Sequence, residues 1–159
     1  MKPLIGDAKR VLIAEDDDAM RTMLATALEK SGFHVDQSRN GEELIERLCT
    51  AGGCHEFPAV IVSDVVMPGM SGLDALAIIR LIAPQLPVVL LTAFGDRRTH
   101  QRAIQLGAGA ILDKPFDLRR LNDLVGELAT TGGGPTPPLP QRRSGPKGAQ
   151  SADHESRNV

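Results

Sequence analysis

Residues 59–64 read AVIVSD, an apolar run that no polar side chain interrupts until Ser63 and Asp64. An amphipathic helix would space its apolar residues three and four apart, and a half-solvated strand would alternate them; this segment does neither. Such a run suits a strand covered on both faces, as in a parallel sheet sandwiched between helices. PVVLLT at 87–92 has the same character. Three shorter apolar, β-branched runs, VLIA (11–14), FHV (33–35) and AILD (110–113), bring the strand candidates to five.

Helical patterns alternate with these runs. Met20, Leu24 and Leu28 recur at a spacing of four, on one face of a first helix, and 41–48, 73–82, 97–106 and 118–128 supply four more. Ser31-Gly32 and Gly107 stand as helix stops. The order is therefore (βα) five times, which implies right-handed crossovers and a doubly wound, flavodoxin-like parallel sheet in the order 2-1-3-4-5. The half-polar FHVDQS suits an edge strand. In this fold class ligands sit at the carboxyl ends of the strands, where strands 1 and 3 diverge.

A chain of 159 residues fits one domain, expected over 8–130. Its 42% hydrophobic and 24% charged content is that of a soluble globular protein, and no apolar run approaches the roughly 18 residues of a membrane span. The N-terminus MKPLIGDAKR lacks a secretory signal, so a cytoplasmic location is expected. Cys49 and Cys54 read as two free thiols. With no Trp or Tyr, and with 18 acidic against 14 basic residues in 1–130, the chain does not read as a nucleic-acid binder. Residues 131–159 are rich in Gly and Pro and almost without large apolar side chains. They read as a disordered tail with no output domain, although PTPPLP (135–140) has the composition of a polyproline II segment.

The strand ends carry the chemistry. The first is followed by Glu15, Asp16, Asp17 and Asp18; the third ends in Asp64, the fourth in Thr92, and the fifth runs into Lys114-Pro115. Capping of the next helix accounts for Asp17 or Asp18. It does not account for Asp16 and Asp64 meeting a lysine at one sheet edge. Crowded carboxylates repel, and the remedies are a raised pKa or a hard cation, for which Mg²⁺ with its oxygen ligands is the best fit.

EDDDAMR, VSDVVMPGMSGLDAL, VVLLTAFGD and DKPFD, in that order and spacing, resemble the receiver domain of two-component response regulators (CheY-like), in its single-domain form, over residues 10 to about 129. The resemblance implies a phosphorylation-activated switch that accepts a phosphoryl group from a histidine kinase, or a histidine phosphotransfer protein, on Asp64. It implies Mg²⁺ held by Glu15, Asp16, Asp64 and the backbone carbonyl of Val66, with Thr92 as switch hydroxyl and Lys114 as phosphate-binding lysine. Lys114 must reach across the site, which leads to the expectation of a cis bond to Pro115. The output is expected through helix 4, strand 5 and helix 5, where Arg97, Arg98, Arg102, Arg119 and Arg120 gather, although solvated helix faces are the simpler account of these arginines. A phosphorylation-dependent homodimer is compatible with the resemblance; membrane or direct nucleic-acid binding is not expected.

Three departures from the family pattern stand out. Glu15 is one methylene longer than the usual Asp. Ile111, three residues before Lys114, replaces the usual Tyr or Phe that swings inward on activation. Val66 and Phe94, two residues beyond Asp64 and Thr92, offer no group to orient an attacking water, so self-dephosphorylation should be slow. Competing readings are the N-terminal receiver of a DNA-binding regulator, a phosphorelay intermediate or phosphate sink, and a Mg²⁺-dependent phosphohydrolase, which would want an acid where Val66 stands.

Overall fold

The computed structural model describes residues 8–53, 57–93 and 96–131, without the side chains of 51–53. Five strands, β1 (Arg10–Ala14), β2 (His34–Ser38), β3 (Val60–Asp64), β4 (Val88–Thr92) and β5 (Ala110–Asp113), alternate with α1 (Asp18–Lys30), α2 (Gly41–Gly53), α3 (Gly72–Ile82), α4 (Arg97–Gln105) and α5 (Leu118–Thr131). All strand pairs are parallel, in the order β2-β1-β3-β4-β5. The expected doubly wound topology is therefore the observed one.

Period-two alternation along the strands divides the core in two. Leu12, Ile61 and Leu90 face one layer with Leu44, Leu76 and Ile79, which belong to α2 and α3. Val11, Ile13, Val62 and Leu91 face the other layer with Leu24, Leu28, Leu121 and Val125 from α1 and α5. Because both faces are covered, β3 and β4 are buried at every position.

Boundaries differ from expectation where polar residues continue an element. β2 runs on through Asp36, Gln37 and Ser38, because Ile13 and Ala14 offer register partners to Gln37 and Ser38 and an edge strand tolerates polar side chains. α2 extends beyond Leu48 to Gly53, and Thr131, assigned to the tail, closes α5. The remainder of the tail, Phe94 and Cys54 lie outside the described residues. Cys49 is an exposed free thiol. Among the described residues no helix is long and apolar enough to cross a membrane.

One polar anchor was not legible in the pattern. Arg80, in the last turn of α3, donates to the carbonyls of Leu86 (2.8 Å), Ala83 (3.3 Å) and Pro84 (3.3 Å) in the α3–β4 loop, and to that of Gly107 (2.9 Å) after α4. Burial lowers its pKa, as it must for a cation whose hydrogen-bond partners are carbonyl dipoles. Arg80→Met keeps the aliphatic stem and leaves those carbonyls without their donor. Unfolding in urea should show a loss of about 2 kcal/mol, since charged hydrogen bonds contribute roughly 1.5–3 kcal/mol; an unchanged midpoint would refute this role.

Candidate functional site

The acidic run after β1 resolves into residues with separate roles. Asp17 is the N-cap of α1, its Oδ1 accepting from the Met20 N–H at 2.7 Å. Asp18 pairs with the Arg21 guanidinium, which lowers its pKa. Glu15 turns inward and is 2% exposed, while Asp16 stays at the surface. Glu15 Oε1 accepts from the Asp17 N–H at 3.2 Å, and the Glu15 backbone is fixed on both sides: its N–H donates to the Ser38 carbonyl at 3.1 Å, and its carbonyl accepts from Arg21 at 2.9 Å.

Asp64 ends β3 and is 5% exposed. Its Oδ2 accepts from Lys114 Nζ at 2.7 Å, and its Oδ1 from the Val66 N–H at 3.3 Å. The same lysine ammonium lies 3.4 Å from Glu15 Oε2. Carboxylate oxygens of Glu15, Asp16 and Asp64 all lie within 4.8 Å of one another. Three oxygen donors so close, with no nitrogen or sulfur among them, have the composition of a site for a hard divalent cation.

Thr92 is buried at the end of β4, one residue beyond Leu91, the register partner of Asp64. Its carbonyl accepts from the Lys114 N–H at 2.7 Å, which ties the lysine's backbone to the strand beside the acid. The Lys114–Pro115 bond is cis. Sheet register thus brings Glu15, Asp16, Asp64, Thr92 and Lys114 to one edge. Val66, 71% exposed, forms the open lip, and Ile111 is half-buried against the core layer of α2 and α3.

The loop after Asp64 is shaped by contacts the sequence did not announce. A Cβ on Gly72 would stand 2.1 Å from the Asp64 carbonyl oxygen, so only glycine lets α3 begin there, its N–H donating to Val65 at 2.8 Å. Gly69 takes φ +76°, and beside it Glu42 of α2 accepts from the Met70 N–H at 2.9 Å. Neither Glu42 nor Arg21 was singled out from the sequence. Arg21 stood within the motif EDDDAMR, three residues after Asp18, and that spacing was the available signal.

The charges remain unbalanced. The Glu15 carboxyl is pushed up to about 7 by burial first, then by the charge of Asp64 and a hydrogen bond to it; the Asp17 N–H and Lys114 offset only part of this. For Lys114, burial works to lower the pKa, but its hydrogen bond to Asp64 and the charges of Asp64 and Glu15 together raise it.

One residue before Lys114, Asp113 meets His100 of α4 at 2.8 Å. Arg97, Arg98 and Arg102 on α4 and Arg119 and Arg120 on α5 are all exposed.

Over residues 11–126 the sequence matches the family described as "Response regulator receiver domain". It is 37% identical over 121 residues to the response regulator receiver protein CpdR of Brucella abortus, covering 76% of this chain and 93% of that protein. It is 38% identical over 115 residues to the DNA-binding transcriptional regulator NtrC of Escherichia coli K12, covering 72% of this chain but only 24% of that protein. The fold is similar to a crystal structure of a response regulator receiver domain protein from Clostridium thermocellum, with a TM-score of 0.71, 25% identity, and coverage of 77% of this chain and 95% of that one.

The raised Glu15 pKa predicts a pH dependence of stability. Between the ordinary value of 4.5 and about 7 the folded chain holds a proton that the unfolded chain releases. Folding stability contributed by this group is therefore fully present below that window and falls as pH rises through it. A divalent cation competes with the proton, so added Mg²⁺ should raise Tm by several degrees at about pH 8 and by little at about pH 5.5. Glu15→Gln should flatten the metal-free profile in thermal melts; a Tm that climbs through the window in the wild type would refute the assignment.

Proposed function

The chain belongs to the response regulator receiver family, and from that membership we propose that Asp64 is its phospho-acceptor, served by Mg²⁺, Thr92 and Lys114. The observation that carries this reading is the contact between Lys114 Nζ and Asp64 Oδ2 at 2.7 Å, inside a cluster with two further carboxylates. A receiver domain is a signalling phospho-acceptor, and the chemistry asked of it is modest. Phosphoryl transfer through a loose transition state needs in-line positioning and charge neutralisation more than covalent machinery.

The donor is a phosphohistidine on a histidine kinase or histidine phosphotransfer protein. An Asp64 carboxylate oxygen bonds to phosphorus as the phosphorus–nitrogen bond breaks, and the imidazole keeps the electron pair and takes up a proton. Lys114 neutralises charge on one side of the incoming group, and the Thr92 hydroxyl donates to one of its oxygens. Asp16, Asp64 and the Val66 carbonyl would hold the metal, with Glu15 as a further acid beside them. Mg²⁺ supplies positive charge at the phosphoryl oxygens when bound.

Phosphorylation weakens the Lys114–Asp64 pair, and the altered surface of α4, β5 and α5 engages the output partner. The exposed arginines and Ile104 (60% exposed) on that face favour an acidic, partly apolar partner surface or a second copy of the chain. The chain nearly spans CpdR but about a quarter of the NtrC length. Similarity to the receiver protein CpdR favours a stand-alone switch, and similarity to NtrC gives the second reading, a receiver module feeding a DNA-binding protein.

The proposal is tested with Mg²⁺ and acetyl phosphate as phosphodonor, followed by intact-mass measurement. The wild type should gain one labile phosphoryl group, Asp64→Asn none, and Lys114→Ala should acquire it roughly a hundredfold more slowly, in line with loss of an electrostatic stabiliser. An adduct that persists in Asp64→Asn overturns the assignment. Because Val66 presents an apolar side chain to solvent, water is not oriented toward the acyl phosphate and the adduct should be long-lived. Val66→Asn should shorten its half-life severalfold in Mg²⁺ buffer; an equal or longer half-life in the variant would contradict that account.

A further inference from the structure

At the amino-terminal edge of the sheet, opposite Asp64, lies a groove of about 560 Å³ bounded by the segment entering β3, the α3–β4 loop and the last turns of α5. Phe57, Ile82, Pro84, Leu86, Pro87 and Ala129 line it, and no charged residue does. Its volume is in the range of ligand pockets, roughly 300–1,000 Å³. Phe57 is 43% exposed, an aromatic surface that nothing described covers. The loop that forms one wall is held by the Arg80 guanidinium, which donates to the carbonyls of Ala83, Pro84 and Leu86.

We propose that this groove is the docking site of the chain's own proline-rich segment, PTPPLP at 135–140. Three observations on the chain select that occupant. First, α5 delivers it: Ala129 lines the groove, the helix ends at Thr131, and Pro135 follows after Gly132-Gly133-Gly134. Four residue steps reach at most about 14 Å, enough to turn back onto the groove and too little to wander far from it. Second, the chemistry matches. Polyproline II segments seat on grooves lined by aromatic and proline side chains, and pay little ordering entropy because the conformation is preformed. PTPPLP carries no charge, as the groove carries none, and Leu139 is the one Leu, Ile, Met or Phe in residues 132–159. The Gln85 amide at the rim offers a donor to a backbone carbonyl that polyproline II leaves unpaired. Third, the tether makes the encounter intramolecular, with an effective concentration of order mM for a short flexible linker. A groove too weak to hold a free hexapeptide can therefore hold this one. Docking covers the exposed Phe57 ring and withholds the proline-rich segment from other polyproline-binding proteins.

The docking is independent of phosphorylation at Asp64 and is tested on the full chain by NMR with labelled methyl groups. Leu139 methyls should show cross-peaks to the Phe57 ring that persist, at unchanged shift, over about a tenfold dilution. Leu139→Asp should abolish those contacts and move the Ile82 and Leu86 methyl resonances, while resonances around Leu12 and Ile61 stay in place and report an intact core. Leu139 methyls at random-coil shifts with no contact to Phe57 would overturn the proposal. So would cross-peaks that fade on dilution, which would give the groove to a second copy.

Discussion

Everything at the carboxyl edge of this sheet is organised around one unfavourable interaction, the mutual repulsion of Glu15, Asp16 and Asp64, whose oxygens lie within 4.8 Å of one another. Among the described residues one ammonium, that of Lys114, faces two of them, at 2.7 and 3.4 Å. One positive charge does not balance them, and burial first, then the charge of Asp64, pushes the Glu15 carboxyl up to about 7. The acidic cluster is therefore poised for incoming positive charge, and the lysine is poised for incoming negative charge. A divalent cation and a phosphoryl group together would satisfy both demands, which is the physical sense of the function proposed for this edge.

Holding like charges together requires a scaffold stiffer than their repulsion. Parallel register supplies it: Asp64 is paired with Leu91, and Thr92 with Asp113, so the acid and hydroxyl positions are set by backbone ladders and by strands buried at every residue. The loops are pinned by single contacts to the ends of that ladder. Arg21 reaches back from α1 to the Glu15 carbonyl, Glu42 crosses from α2 to the Met70 N–H, and Gly72 lets α3 start against the Asp64 carbonyl. Each contact fixes backbone rather than a reacting atom, so its consequence is precision of position rather than chemistry.

This division explains what could be read from the chain beforehand. Continuous apolar runs at 59–64 and 87–92 identified buried strands, and alternation with helices dictated the order of the sheet. Since strand order determines which ends are neighbours, Asp16, Asp64, Thr92 and Lys114 could be assembled before any coordinate was known. Long-range pinning contacts escaped for the opposite reason. Glu42 and Met70 are 28 residues apart and Arg80 and Gly107 are 27 apart, and no periodicity links a side chain to a distant backbone group. β2 was read short because Asp36, Gln37 and Ser38 look like loop residues; pairing with β1 at the sheet edge overrides their composition.

The remaining question is how the site is mechanically joined to the helices that flank it, given an aliphatic residue at Ile111. Ile111 is half-buried against the α2 and α3 layer and pairs with Leu90, so it belongs to the core and has no ring to swing between two positions. Besides the apolar packing of Ala103, a polar path connects the site to α4. Thr92 accepts from the Lys114 N–H and faces Asp113 in register, and Asp113 in turn holds His100 of α4 at 2.8 Å. A shift of Thr92 toward a phosphoryl oxygen would act on β5 through that hydrogen bond and register, and on α4 through the Asp113 carboxylate. His100 and Asp113 are partly exposed, so their contact is worth little as stability and can be exchanged at low cost. That is the property a link between two surface arrangements needs, and a buried aromatic achieves it by a different route, by trading one packed cavity for another.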